Sequence, residues 1–123
     1  MATIELSTVE NLQHILENND LVLIDFWAPW CGPCRSFAPI YEQTSGQHAN
    51  AVFAKVNTEE ARTLAAEFQI RAIPTLVIFR QQIVIFRQEG ALLASQLNEV
   101  VRKAQELDMD MVRAEIAKQE ANA

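Results

Sequence analysis

The sequence predicts a single α/β domain built on a mixed sheet, and three observations support this fold class. Two runs, Leu21–Trp27 and Ala51–Asn57, are almost continuously apolar, as strands covered on both faces are. Segments with helical spacing alternate with these strands along the chain. Two further β-rich runs, at 75–79 and 83–86, are close enough in sequence to predict an antiparallel hairpin.

The remaining elements fit between and around these strands. Pro39 lies inside one predicted helix, where it removes a backbone donor and predicts a kink. The last predicted helix carries an apolar stripe that ends at Leu107. In chain order we predict a strand at 2–6, a helix begun by a capping-box pattern at 7–10, a helix over 35–45 that stops at Gly46, a helix over 59–68, and a final helix from about Ser95.

The composition limits the functional classes. The chain has 123 residues, 50% of them hydrophobic, which suits one compact domain with its own core. Its formal net charge of -6 offers no basic surface to phosphate backbones, so we expect no nucleic-acid partner. No apolar run is long enough to span a membrane, and the first residues lack the basic start and apolar stretch of a secretion signal. We therefore expect a cytoplasmic protein with no membrane partner.

Both cysteines of the chain, Cys31 and Cys34, lie in the stretch WAPWCGPCR. Such a pair can be a redox couple, half of a metal site or two buried apolar residues. A structural zinc site takes four ligands, and His14 and His48 stand outside the short spacing of a zinc motif, so we predict no bound metal. Redox chemistry is favoured because the pair follows a buried strand and precedes a helix.

The residues around the pair distinguish the two sulfurs. If the helix begins at Gly32 or Pro33, unpaired N–H groups and the positive end of the helix dipole face Cys31 and favour its thiolate. Pro33 suits a first helical turn because its missing donor had no partner there, and Gly32 lets the backbone pass close by. Cys31 is therefore the predicted nucleophile and Cys34 the resolving thiol, with a mixed disulfide as the intermediate.

Asp25 interrupts the apolar run Leu21–Trp27. Burial there would raise the pKa of its carboxyl, and a carboxyl that titrates near neutral pH can exchange the proton of Cys34. The alternative is an aspartate that lies at a strand end in water.

WAPWCGPCR resembles the active-site signature of the thioredoxin family, and LVLIDFW, FAKVN, IRAIPTLVIF and Gly90-Ala91 follow in that family's order over about 4–107. The resemblance implies the thioredoxin fold, a central five-stranded mixed sheet flanked by four helices. The domain would span 1–107, with a short C-terminal extension at 108–123. The implied activity is reduction of protein disulfides to maintain redox homeostasis, by a monomer without a bound cofactor that thioredoxin reductase recharges.

The resemblance also implies roles for individual residues. Cys31 matches the exposed nucleophile of the family and Cys34 its buried resolving cysteine. Asp25 matches the buried aspartate that transfers a proton, and Lys55 the lysine that lies near it. Ile73-Pro74 matches a cis-proline segment that offers backbone groups to a substrate strand. The implied substrate surface consists of Trp30, Gly32, Pro33, Ile73, Pro74, Glu89, Gly90 and Ala91, with Trp27 packing beneath the site.

Four features depart from the family. The turn at 80–83 contains neither Gly nor Asn, and a left-handed backbone costs a Gln about 1 kcal/mol or more, so we expect another or a distorted turn. Ala72 adds a methyl group where many relatives have Gly, and Glu89 adds a negative charge at the edge of the implied substrate surface. Beyond Leu107 the chain could extend the last helix, form a short extra helix or fray.

Other functions stay open on the sequence. An oxidant or isomerase would use the same cysteines, although Gly-Pro between them resembles the reducing members of the family. A binding or chaperone module would use the scaffold and the extension, with redox activity secondary. A metal protein would hold zinc or an iron–sulfur cluster through the cysteines.

Overall fold

The structure, a computed structural model, describes residues 3–123. Ala2, which the predicted first strand included, lies outside the described residues. In chain order the elements are β1 (Thr3–Glu5), α1 (Val9–Asn18), β2 (Leu21–Trp27), α2 (Gly32–Ser45), β3 (Ala51–Asn57), α3 (Arg62–Glu67), β4 (Thr75–Arg80), β5 (Ile83–Glu89), α4 (Ala94–Glu106) and α5 (Met109–Ala121).

The described strands form one five-stranded mixed sheet in the order β1-β3-β2-β4-β5. The pairs β1–β3 and β3–β2 are parallel, whereas β2–β4 and β4–β5 are antiparallel. One apolar cluster joins β2 residues such as Ile24 to α1 and α3, and a second joins Leu23 to α2 and α4. Because side chains alternate along a strand, Asp25 lies on the same face as Leu23, under α2 and α4. The predicted mixed sheet with helices on both faces is confirmed.

Three helices differ from the predicted bounds, and α2 does so by beginning at Gly32 instead of Arg35. The N-cap of α1 is Thr8 and not the first residue of the 7–10 pattern, since the Thr8 hydroxyl accepts the N–H of Asn11 at 3.0 Å. Helix α3 is shorter than predicted, because the Asn57 side chain accepts the N–H of Glu59 at 2.9 Å and holds a turn at 58–60. Helix α2 runs on through Pro39.

The turn between β4 and β5 has left-handed backbone at both central residues, with φ of 52° at Gln81 and 67° at Gln82. The expectation of another or a distorted turn was wrong. Positive φ at both positions is what the type I′ turn of a two-residue hairpin requires, and this turn matches the twist of the strands. Gln81 is also held from outside the hairpin: its N–H donates to the Asp20 carbonyl at 2.7 Å, and its side-chain oxygen accepts from Arg113.

The extension forms a separate helix. α4 ends at Glu106, and Asp108 begins α5 by accepting the N–H groups of Asp110 and Met111 at 3.0 and 3.2 Å. Within residues 3–123 the sheet therefore carries α5 in addition to the four helices that the resemblance implied. In the same range, no helix has the length and apolar content needed to cross a membrane.

Candidate active site

Cys31 lies between β2 and α2, and Cys34 lies in the first turn of α2. The two form a disulfide with their Cα atoms 5.2 Å apart. Cys31 is the N-cap residue of α2, and its Sγ accepts a hydrogen bond from the N–H of Cys34 at 3.2 Å. Pro33 occupies the start of the helix, where its missing donor leaves no partner unsatisfied. The structure thus gives the Cys31 sulfur the helix N-terminus that the spacing predicted.

Both sulfur-bearing residues are buried in this disulfide form. Cys31 is 5% exposed and Cys34 is 3% exposed, so the implied exposed position of Cys31 is corrected. The reason is tertiary, because Ile73 and Trp27 pack against the disulfide. The carbonyl oxygen of Ile73 lies 3.7 Å from the Cys31 sulfur.

The loop that covers the disulfide contains the cis peptide bond Ile73–Pro74. The Pro74 carbonyl accepts the N–H of Gly90 at 2.8 Å, which places Gly90 and Ala91 beside this loop. Gly90 has a φ of 93°, a conformation that side-chain-bearing residues rarely adopt. Segments distant in sequence therefore meet at one edge of the redox site.

Asp25 is buried on β2 with 1% of its surface exposed, which overturns the alternative of an aspartate in water. Neither carboxylate oxygen has a hydrogen-bond partner among the described residues. Desolvation is the main cause that raises the pKa of Asp25, to about 7, with a smaller contribution from Glu5, while Lys55 opposes the rise. Asp25 can therefore exist in both protonation states near neutral pH.

Lys55 lies beside Asp25 because the two residues are register partners on β3 and β2. Its ammonium nitrogen lies 4.7 Å from the centroid of the Trp27 ring. Trp27 thus packs between the disulfide and the lysine, as its position next to the buried strand predicted. On the other side of Lys55, its register partner on β1 is Glu5, which the sequence analysis did not single out.

The sequence model of the thioredoxin family matches residues 3–103. This chain belongs to the thioredoxin family. It is 48% identical over 122 residues to the protein called "Putative thioredoxin 2" of Streptomyces coelicolor, covering 99% of this chain and 90% of the relative. It is 43% identical to a thioredoxin of Pyropia yezoensis, over 72% of this chain and 88% of that one.

Solved structures show the same relationship. A mutant thioredoxin from Halobacterium salinarum superposes with a TM-score of 0.80 at 30% identity, covering 86% of this chain and 93% of that chain. Members of the family are protein-disulfide oxidoreductases that act through a redox-active disulfide without a prosthetic cofactor. With its Cys31–Cys34 disulfide, this thioredoxin-family chain is a thiol-disulfide oxidoreductase. Residues 3–123 contain no group of three or more His, Cys, Asp or Glu side chains arranged to hold a metal ion.

The surface beside the disulfide is open and partly apolar. Trp30 is 65% exposed, and with Ala72 and Ile73 it lines a cavity of about 380 Å³. The side of Gly32 is open too, because an added methyl group would meet only the Arg35 guanidinium, at 4.0 Å. No close contact inside the chain therefore requires glycine at this position.

Glu89, at the end of β5, is paired with Arg71. The Arg71 Nε lies 2.8 Å from one carboxylate oxygen of Glu89, and its Nη2 lies 3.4 Å from the other. This pairing lowers the pKa of Glu89 and raises the pKa of Arg71. The negative charge predicted at the edge of the substrate surface is thus accompanied by a positive one. Arg71 was missed because no local pattern links residues 18 positions apart.

Proposed function

We propose that this protein reduces protein disulfides with Cys31 as the attacking thiolate and Cys34 as the resolving thiol. One observation carries the proposal: the Cys31 sulfur is the N-cap of α2 and accepts the N–H of Cys34, so backbone donors stabilise negative charge on Cys31. Cys34 lies inside the helix and is not its N-cap residue, so its sulfur does not receive this stabilisation.

The reaction runs in two exchanges. The Cys31 thiolate attacks one sulfur of the substrate disulfide, forming a mixed disulfide and releasing the other substrate sulfur as a thiolate. Cys34 then loses its proton and attacks the Cys31 sulfur, which releases the second substrate thiolate. The substrate gains two electrons, and the protein is left with the Cys31–Cys34 disulfide seen here.

In this proposal Asp25 takes the proton of Cys34 in the second exchange. Asp25 lies on the sheet face that α2 covers, and burial raises its pKa to about 7, which suits a group that must both accept and release a proton. Lys55 modulates it through its adjacent charge. Trp30, Gly32, Pro33, Ile73, Pro74, Gly90 and Ala91 would form the substrate surface, with the Glu89–Arg71 pair at its edge.

The family proteins act on disulfide substrates and are recycled by thioredoxin reductase. We extend this to the present chain as a cytoplasmic monomer, with the redox domain at 1–107 and an extension at 108–123. The similarity to a bacterial thioredoxin along 99% of the chain supports the proposal.

Two cysteine variants test the roles of the sulfurs. Cys31→Ser should abolish reduction of a disulfide substrate such as insulin, whereas Cys34→Ser should accumulate a mixed disulfide that mass spectrometry detects. Full activity in the Cys31→Ser protein would refute the assignment. Ser36→Ala, on the same helix, serves as a control that should keep activity.

The direction of the reaction is tested separately. The reduction potential of the Cys31/Cys34 pair, together with turnover by a thioredoxin reductase and NADPH, separates a reductase from an oxidant or isomerase. A strongly reducing potential with turnover supports the proposal. A potential near that of oxidising disulfide catalysts, or no turnover, would favour the other class.

A further inference from the structure

Three charged side chains lie in one row across the sheet. Glu5 on β1 pairs in register with Lys55 on β3, and Lys55 pairs in register with Asp25 on β2. Register partners on adjacent strands project to the same face, and adjacent strands are about 4.8 Å apart. Two carboxyl groups therefore flank one ammonium group, and roughly 10 Å separates their strands.

Burial decreases along this row from the redox site to the surface. Asp25 is buried, Lys55 is half-buried, and Glu5 is exposed on the edge strand β1. Within residues 3–123, Lys55 forms no direct ion pair with either carboxylate; its ammonium lies over the Trp27 ring instead. A lysine held in this way between two acids interacts electrostatically with both.

We propose that Glu5 is a positioning residue of the redox site: it shares Lys55 with Asp25 and thereby keeps the Asp25 carboxyl protonated to higher pH. The inference rests on the proposed proton-transfer role of Asp25. Under this proposal Glu5, an exposed residue of the edge strand, helps to set the pH at which the second exchange becomes fast.

The electrostatics of the row agree with the geometry. Partial burial chiefly raises the pKa of Glu5, while the charge of Lys55 lowers it and the charge of Glu60 raises it. For Asp25, Glu5 adds to the effect of burial while Lys55 opposes it. A second negative charge near the same lysine makes ionisation of Asp25 less favourable.

The elements packed around Asp25 contribute either groups that are already bonded or apolar side chains. Glu5 is the exposed acid of the row, so it can be substituted without disturbing the core. From α2, the buried Tyr41 donates its hydroxyl hydrogen bond to the Ala54 carbonyl at 2.8 Å, and the cysteines do not titrate as a disulfide. From β4, the register partner is Leu76, and α4 contributes the apolar Leu97 and Val101.

The test is the titration of Asp25 followed by carboxyl ¹³C NMR in the oxidised protein. Glu5→Gln should lower the Asp25 midpoint by roughly 0.5 pH unit, the size expected for two carboxylates about 10 Å apart near a protein surface. Glu5→Asp keeps the negative charge, so its Asp25 midpoint should lie closer to the wild-type value. Glu17→Gln removes an equal charge on α1 and should leave the Asp25 midpoint unchanged. An unchanged midpoint in Glu5→Gln would overturn the proposal.

A second comparison tests the sharing of Lys55. Lys55→Met should raise the Asp25 midpoint, and adding Glu5→Gln to it should produce a smaller downward shift than Glu5→Gln produces alone. Equal shifts in the two backgrounds would show that Glu5 acts independently of Lys55 and would refute the sharing. Since Asp25 is observed directly, these results are separate from the proposed proton transfer, which the pH profile of the second exchange in Asp25→Asn tests.

Discussion

At the scale of single residues, the burial of Asp25 carries a cost to stability. In the unfolded chain this carboxyl has its ordinary pKa of 3.8, whereas burial in the folded protein raises the pKa to about 7. A raised pKa of an acid means that folding is opposed increasingly as pH rises between these values. The cost is absent below pH 4 and complete above neutral pH.

Asp25→Ala should therefore stabilise the protein in a pH-dependent way. At about 1.4 kcal/mol per pH unit, the difference between 3.8 and about 7 corresponds to roughly 4 kcal/mol above neutral pH. The small cavity costs about 1 kcal/mol of this gain. Urea unfolding should show a gain of about 3 kcal/mol at pH 8 and, because only the cavity cost remains there, a loss of about 1 kcal/mol at pH 4. An equal gain at both pH values would contradict ionisation as its source.

Gln82 is a second residue whose conformation carries a cost, because its φ of 67° is left-handed. Gln82→Gly should raise the free energy of unfolding by about 0.5 to 1 kcal/mol, since glycine adopts this backbone without steric strain. Gln88→Gly is the matched control: it lies exposed within β5 and should lower stability by a similar amount. If both variants lose stability equally, the turn is not a source of strain.

At the scale of elements, Arg80 joins the end of β4 to the end of α4. Its Nε lies 2.6 Å from an Asp20 carboxylate oxygen. Its Nη1 donates to the Ala104 carbonyl at 2.7 Å and to the Gln105 and Leu107 carbonyls at 3.2 Å. The Ala104 and Gln105 carbonyls belong to the last turn of α4, and Leu107 is its C-cap residue. Backbone acceptors at these positions lack partners within the helix. One partly buried guanidinium therefore ends α4 and anchors it to the sheet.

Removing that guanidinium should destabilise the fold. Arg80→Met should cost about 2 kcal/mol, because it removes charge-assisted hydrogen bonds and leaves helix carbonyls without their donor. Arg102→Met, on the exposed side of α4 with paired glutamates, should change stability by less than about 0.5 kcal/mol. Thermal or urea unfolding of the two variants provides the comparison, and equal small losses would show that Arg80 does not anchor α4.

At the scale of the whole molecule, α5 adds a further layer beside the edge strand β5. Val112 and Ile116 of α5 line one groove with Ile83, Val84 and Ile85 of β5. Met109, at the start of the helix, is 4% exposed. The redox site is built from other elements, namely β2, α2 and the loop before β4. The extension should therefore affect stability more than chemistry.

Two methionines of α5 separate these effects. Met109→Ala should lower the free energy of unfolding by about 2 kcal/mol because it empties a buried site. Met111→Ala should be nearly neutral, since that side chain is 70% exposed. Both should reduce insulin disulfides at the wild-type rate. A loss of reduction rate in a folded Met109→Ala protein would instead connect α5 to the redox site and favour the binding-module hypothesis.

The sequence was sufficient for features that depend on neighbours along the chain. Apolar runs predicted β2 and β3 with correct bounds, and the C-x-x-C pair after a buried strand predicted a redox pair at a helix N-terminus. Asp25 was recognisable because a carboxyl inside an apolar strand is unusual. Each of these signals is local, since hydrophobic periodicity and helix capping act within a few residues.

Tertiary structure decided what depends on contacts between distant segments. Strand order made Glu5 a neighbour of Lys55, and packing of Ile73 over the disulfide made Cys31 buried. Strand twist and contacts from outside the hairpin selected left-handed glutamines in a turn whose composition argued against them. The sequence by itself therefore determined the fold class and the redox pair. The charges and covering groups around that pair were decided only when the sheet brought remote residues together, because their free energies arise from long-range contacts that no local pattern encodes.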